Sequence, residues 1–219
     1  MPATELLLAT GNPGKRAEFR SLFGGLRLRL LDPDPSLPEC PEPHGTFVEN
    51  ALAKAREASR HSARPALADD SGLCVQALGG APGVRSARYA RLDEQGSGDG
   101  AARARQDDAN NRLLLQRLQG VGERRAHFVC VLVALRHAED PEPLIAHGWL
   151  HGHVAGAPAG EGGFGYDPLF VLPQQGLTLA QIEPAQKNRI SHRARAAGQM
   201  AQLLQAFWGI APTAQHQSI

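Results

Sequence analysis

Apolar positions along the chain repeat in two rhythms, and each rhythm predicts a different element. The strongest strand signal runs from Arg125 to Arg136. There Phe128, Cys130, Leu132 and Ala134 alternate with Val129, Val131, Val133 and Leu135, so both faces are apolar and the strand is expected to lie between two layers. A turn over Ala138 to Pro143 follows, and Leu144 to Val154 is expected to return antiparallel. Leu6 to Ala9 is a short apolar run stopped by Gly11 and Pro13, which predicts a buried strand. Ala66 to Ala68 and Leu169 to Leu172 read the same way, and Leu73, Val75 and Ala77 keep strand parity beyond the first of these. Helical spacing places Phe19, Leu22 and Phe23 on one face between Lys15 and Phe23. A second helix begins at Thr46, where Thr46-x-x-Glu49 is a capping-box pattern. Phe47, Ala51 and Ala58 share a face of it with Lys54, and Arg64-Pro65 ends it. Asp107 to Leu118 and Ser191 to Trp208 are further helices, the latter with Ser191 as N-cap. The proline- and acid-rich segment Leu31 to Gly45, the polar stretch Glu94 to Gly100 and the glycines from Gly156 to Gly165 read as loops. No internal repeat or linker interrupts this order. The expectation is an α/β fold with a mixed β-sheet flanked by helices, one domain over residues 1–210 and a flexible tail over 211–219.

Composition narrows what such a fold could do. At 219 residues and 42% hydrophobic, the chain is long enough for one sizeable core. Lys plus Arg (23) nearly cancels Asp plus Glu (22), so no global field draws it onto nucleic acid or an anionic membrane. An anionic ligand must be held by local clusters. Cys40, Cys74 and Cys130 are widely spaced and form no C-x-x-C pair, which argues against a disulfide framework or a zinc knuckle and fits a reducing cytosol. Leu6 to Ala9 is too short for a signal core, and no apolar run reaches membrane-spanning length, so a cytoplasmic location is expected.

Four clusters carry candidate chemistry. In Thr10-Gly11-Asn12-Pro13-Gly14-Lys15, a strand runs through a glycine turn into a helix start, which aims N–H groups and the helix dipole at one point and adds the Lys15 charge. It is not a Walker A loop, because Ala9 stands where its first glycine belongs and Arg16 where Ser or Thr should follow the lysine. An ordinary turn with a surface lysine fits this cluster equally well. Asp69-Asp70-Ser71-Gly72 places two acids directly after an apolar strand. Hard oxygen ligands of this kind suit Mg²⁺ beside phosphates, and one carboxylate could act as a general base. The competing reading is an Asp-Ser-Gly turn, which rarely needs both acids. Gly162-Gly163-Phe164-Gly165-Tyr166-Asp167-Pro168 describes a backbone that something approaches closely, with Phe164 able to stack on a base and Asp167 able to read its edge. Core aromatics are the alternative, which fits Tyr166 better than Phe164. Lys187 to Arg193 combines cations with a helix start suited to a phosphate or a purine carbonyl, or else is a solvated basic turn. His147, His151 and His153 share strand parity but read as a solvent face. Of Arg85, Arg88, Arg91, Arg103 and Arg105, only Arg85 and Arg88 follow a tight turn that could bring them to a ligand.

In this order the clusters resemble a known family. The carrying text is ATGNPGK (Ala9–Lys15), TFVENALAKA (Thr46–Ala55), ADDSGL (Ala68–Leu73), LGGAPGVRSARYA (Leu78–Ala90), GGFGYDPLF (Gly162–Phe170) and ISHRARA (Ile190–Ala196). It is similar to the bacterial members of the noncanonical purine nucleoside triphosphate pyrophosphatases, also described as inosine/xanthosine triphosphate pyrophosphatases or dITP/XTP diphosphatases. The resemblance implies cleavage between the α- and β-phosphates to a nucleoside monophosphate and pyrophosphate, a need for Mg²⁺, and a homodimer. It also implies an elongated mixed sheet in two lobes with the site in the cleft between them. Carried over by position, Thr10, Gly11, Asn12, Pro13, Gly14 and Lys15 bind phosphates and Lys54 contacts substrate. Asp70 is the proton acceptor and a metal ligand, and Ser71 touches substrate; beyond the carry-over, Asp69 is expected to help Asp70 orient or deprotonate the attacking water. Phe164, Gly165, Tyr166, Asp167, Lys187, His192 and Arg193 form the base and sugar pocket. A second acidic metal ligand precedes the capped helix. Here Pro41 stands where one of two adjacent glutamates falls, so Glu42 takes the role, with Glu39 as alternative. The stretch Glu94 to Ala104 is longer and more basic than the family pattern and is expected to be peripheral. Neither a nucleic acid nor a membrane is expected as partner.

Overall fold

The computed structural model describes residues 3–34, 40–90 and 100–213. Among the described residues it has seven strands: β1 (Thr4–Leu8), β2 (Leu28–Leu31), β3 (Ala66–Val75), β4 (Arg125–Leu135), β5 (Leu144–Val154), β6 (Phe170–Leu172) and β7 (Leu177–Thr178). Its helices are α1 (Pro13–Leu22), α2 (Phe47–Ser62), α3 (Gly100–Arg117), α4 (Pro184–Ile190) and α5 (His192–Trp208). The strands form one sheet in the order β2-β1-β3-β4-β5-β6-β7. β1 runs parallel to β2 and to β3, whereas β6 pairs antiparallel with both β5 and β7. The sheet is therefore mixed, as the patterning predicts.

The chain divides into two compact units. One comprises Met1–Asp70, Cys130–Gly148 and His192–Ile219, and the other Ser71–Val129 and Trp149–Ser191. Each has its own core. Leu6, Leu8, Phe19, Phe23, Leu67, Leu132, Met200 and Leu204 belong to the first. Leu73, Val75, Leu114, Leu118, Phe128, Leu150, Leu169 and Phe170 belong to the second. The double-faced apolar run of β4 is buried along nearly its whole length, which is the burial its sequence predicts.

Several elements depart from the sequence expectations. β3 does not stop at Ala68: it continues through Asp69-Asp70-Ser71-Gly72 to Val75, so no Asp-Ser-Gly turn forms, and Ala77 lies beyond it in a 3₁₀ turn. β2, β7 and α4 are additional. β2 is a half-exposed four-residue edge and β7 has two residues, too short for either to show a period. Ser191 precedes α5 and also ends α4, its N–H donating to the Lys187 carbonyl at 3.0 Å. Residues 211–213, placed in the flexible tail, are in fact tied down: Arg27 N–H donates to the Ala211 carbonyl (2.8 Å) and Thr213 N–H to that of Gly25 (2.9 Å). The stretch from Glu94 to residue 99, Glu39 and residues 214–219 lie outside the described residues.

Candidate active site

The Thr10–Lys15 loop is built as a self-satisfied helix start. Asn12 is the N-cap of α1, and its Oδ1 accepts from the N–H groups of Gly14 (2.9 Å) and Lys15 (3.2 Å). Pro13 has no N–H to offer, and the Asn12 N–H donates to Thr10 Oγ1 at 3.3 Å. The short Asn12 side chain thus takes two of the N–H groups at the helix start. What the loop presents is the Lys15 ammonium, 2.7 Å from Asp69 Oδ2.

Successive side chains on a strand point to opposite faces, so neighbouring Asp69 and Asp70 meet different partners. Both are buried, at 1% and 4% exposure, yet their acidities move in opposite directions. Burial works against Asp69 ionisation, but Lys15 and then Lys54 outweigh it, and the carboxyl is held below its ordinary value. For Asp70, burial prevails over the attraction of Lys54, Glu42 adds repulsion, and the carboxyl is pushed up.

α2 brings the next groups together. Thr46 Oγ1 accepts the Glu49 N–H at 3.3 Å and donates to Glu49 Oε2 at 2.6 Å, which fixes the helix start. Four residues apart on one face, Asn50 and Lys54 then both reach Asp70: Asn50 Nδ2 is 3.2 Å from Oδ2 and Lys54 Nζ 3.3 Å from Oδ1. Lys54 also donates to Glu42 Oε1 at 2.8 Å. Burial disfavours its charge, but Asp69, Asp70 and Glu42 outweigh this and raise its basicity. Asn50 is fully buried and also grips the Glu42 loop at both polar groups of His44, through Oδ1 to the N–H (3.0 Å) and Nδ2 to the carbonyl (3.3 Å). It is absent from the sequence-derived set. Its place one turn before Lys54 on the capped helix is the signal that identifies it.

Glu42 and Asp70 thus share one cation. Two hard carboxylates on a single positive centre suit a divalent ion such as Mg²⁺, which fills its remaining positions with water and phosphate oxygens. Among the described residues no group of three His, Cys, Asp or Glu gathers, which disfavours an all-protein cage. Arg193, at the start of α5, is buried and pairs with Glu18 of α1 at 2.9 Å, a partner 175 positions away that sequence spacing does not reveal.

In the second unit, Asp167 organises the glycine-rich loop. Its Oδ2 accepts the Phe164 N–H (2.9 Å) and the Lys187 ammonium (2.6 Å), and Lys187 Nζ lies 4.9 Å from the centre of the Phe164 ring. Gly163, at φ 76°, has no room for a side chain: a Cβ there would stand 2.1 Å from Asp167 Oδ2. Tyr166 is buried, its hydroxyl donating to the Ser86 carbonyl at 2.9 Å, so it belongs to the core as its alternative reading had it. Phe164 is half-buried. Lys187 and Asp167 therefore join Phe164 and Gly165, whereas His192 and Arg193, adjacent to Lys187 in the motif, pack in the first unit, as do Lys15, Lys54, Glu42 and Asp69–Asp70. Ser71 follows Asp70 on β3 and is half-buried.

A family model described as the Ham1 family matches residues 6–203. The chain belongs to the Ham1 family. Two relatives from this family are the dITP/XTP pyrophosphatase of Ralstonia nicotianae, 53% identical over 92% of this chain and 97% of its own, and that of Bordetella pertussis, 56% identical over 92% and 91%. Among solved structures, a Ham1 protein from Coxiella burnetii superposes with a TM-score of 0.81 at 39% identity, covering 92% of this chain and 98% of its own. The dITP/XTP pyrophosphatase of Mycobacterium abscessus gives 0.68 at 39% identity, with 92% and 99% covered. The Ham1 fold thus extends from β1 into α5, and all the clusters described above lie within the matched span.

Proposed function

We propose that this Ham1-family chain hydrolyses noncanonical purine nucleoside triphosphates (XTP, ITP and dITP) to the monophosphate and pyrophosphate. Deaminated purines would thereby be removed from the cytoplasmic nucleotide pool before a polymerase uses them. The observation that carries this reading is the meeting of Glu42, Asp70 and Lys54 beside the Lys15–Asp69 pair, in a chain whose relatives bear the name dITP/XTP pyrophosphatase.

In this reading Lys15 and Lys54 neutralise the triphosphate, with Thr10, Gly11, Asn12, Pro13 and Gly14 shaping the turn that holds it. Asp69 holds Lys15 in place through their 2.7 Å ion pair. Asp70 takes a proton from the attacking water. Glu42 and Asp70 would hold Mg²⁺, whose positive charge would offset that of the phosphate oxygens. Asn50 keeps the Glu42 loop and Asp70 in register. Phe164 stacks on the purine, while Lys187 donates to the 6-oxo group of hypoxanthine or xanthine. Adenine offers an amino group there and leaves that donor unmatched, which is how a polar site rejects an analogue. Gly165, Tyr166 and Asp167 hold Phe164 and Lys187, and Ser71, His192 and Arg193 contribute further substrate contacts. The same reading includes a homodimer, as the resemblance implies.

The test is a panel of ITP, dITP, XTP, GTP and ATP, with and without Mg²⁺, scored for pyrophosphate and orthophosphate. Pyrophosphate release from the first three, lost on chelation, is the expected result. Equal cleavage of ATP, or orthophosphate as product, would overturn the assignment.

A further inference from the structure

We infer that Asp107 and Asn111 are positioning residues for the Phe164 platform, acting through the two polar groups of Gly165. The inference rests on the reading that Phe164 receives the purine.

The two residues sit one turn apart on the same face of α3. Asp107 Oδ2 accepts the Gly165 N–H at 2.9 Å, and Asn111 Nδ2 donates to the Gly165 carbonyl at 2.9 Å. Both polar groups of the residue next to Phe164 are therefore held by one rigid helix. Gly165 adopts φ 66°, a conformation that its neighbours must fix from outside because glycine itself does not restrict it. On the other side of Phe164, its N–H is held by Asp167, which also binds Lys187 beside the ring. The ring is thus aimed from both flanks.

Asn111 is 9% exposed, and its Oδ1 meets no hydrogen-bond donor among the described residues. A flipped amide would set oxygen against the Gly165 carbonyl. The orientation is therefore dictated by Gly165 rather than by the amide's own satisfaction. The adjacent Asn110 extends the frame: its Nδ2 donates to the Ser86 and Ala87 carbonyls, each at 3.2 Å, and the Ser86 carbonyl also accepts the Tyr166 hydroxyl at 2.9 Å. α3 consequently pins the Phe164–Tyr166 segment directly and through Ser86. Neither Asp107 nor Asn111 needs to touch the base.

The experiment is a double-mutant cycle on ITP hydrolysis. Asp107→Ala and Asn111→Ala should each raise KM about tenfold, with kcat within about twofold, the loss of one hydrogen bond's worth of orientation. Asp107→Asn, whose amide oxygen accepts the same N–H, should restore KM to within about twofold of wild type. In a Phe164→Ala background, Asn111→Ala should leave KM unchanged, because the ring it aims is gone. A further rise there, or unchanged KM in both alanine variants while Phe164→Ala raises it, would overturn the inference and leave the purine-stacking reading standing. An unchanged KM in Phe164→Ala itself would overturn that reading, and the inference with it. Should Asn111→Ala fail to fold, the Asp107→Ala and Asp107→Asn pair, each crossed with Phe164→Ala, decides the same question.

Discussion

Asp70→Asn should weaken catalysis and strengthen the fold. Asp70 and Asp69 are comparably buried, but their cation contacts differ. Lys15 approaches Asp69 to 2.7 Å, whereas Lys54 and Asn50 stand 3.3 and 3.2 Å from Asp70. Charge-assisted bonds run at about 2.7–2.9 Å, so Asp70 receives less compensation for desolvation, and Glu42 and Asp69 repel it as well. Its carboxyl is raised in the folded state. Between the ordinary value of 3.8 and the raised one, the folded protein keeps a proton that the unfolded chain releases, so stability falls as pH rises through that window. Above the window the cost is fully present. Asparagine carries no such cost, and relief of a strained active-site charge is typically worth about 0.5–2 kcal/mol. At this chain length each kcal/mol moves Tm by about 2–4 °C. The variant should therefore melt higher than wild type at pH 8 in metal-free buffer, and the gap should close as pH falls below 3.8. Loss of the base should lower kcat for dITP with Mg²⁺ by about 10²-fold or more. Paired thermal melts and pyrophosphate release measure both. A variant that melts lower at pH 8, or that keeps kcat within tenfold, would refute the electrostatic argument or the role it supports.

Three further outcomes follow from the same geometry. Lys54→Met should destabilise the metal-free protein by about 3–5 kcal/mol, because Glu42 and Asp70 lose their shared cation, and millimolar Mg²⁺ should recover part of the loss in urea titrations. Asp69→Asn should cost about 3–5 kcal/mol at neutral pH by leaving Lys15 without its carboxylate. Since Asp69 is held below its ordinary value, its stabilisation is present above 3.8 and lost as pH falls through the folded value, so the difference between variant and wild type should shrink in acid melts. Gly148→Ala should cost about 3 kcal/mol or more, because a Cβ there would stand 2.1 Å from the His192 carbonyl oxygen and 2.5 Å from the Ala196 nitrogen, both backbone atoms of α5; failure to lower Tm would refute the close approach of β5 and α5.

The long elements and the chemical vocabulary of the site are legible in the residue pattern alone. β4 was legible because its apolar run is sustained on both faces over eleven residues, β5 because its length is as great, and α2 because Thr46 and Glu49 mark its start. The six motifs indicated a family and which residue types meet phosphate, metal and purine. Local patterning cannot report partners distant in the chain, and these decided the rest. A buried carboxylate's acidity depends on the distance to its cation, so only the tertiary structure set Asp69 below and Asp70 above their ordinary values, through lysines on two different helices. The turn at Asp-Ser-Gly was plausible locally, but sheet pairing and burial carried β3 straight through it. The Asn12 oxygen caps Gly14 and Lys15, a pairing that the motif alone does not show. Asn50, Asp107 and Asn111 gave no chemical signal of their own, since an amide or acid on a helix face acquires meaning only from the loop packed against it.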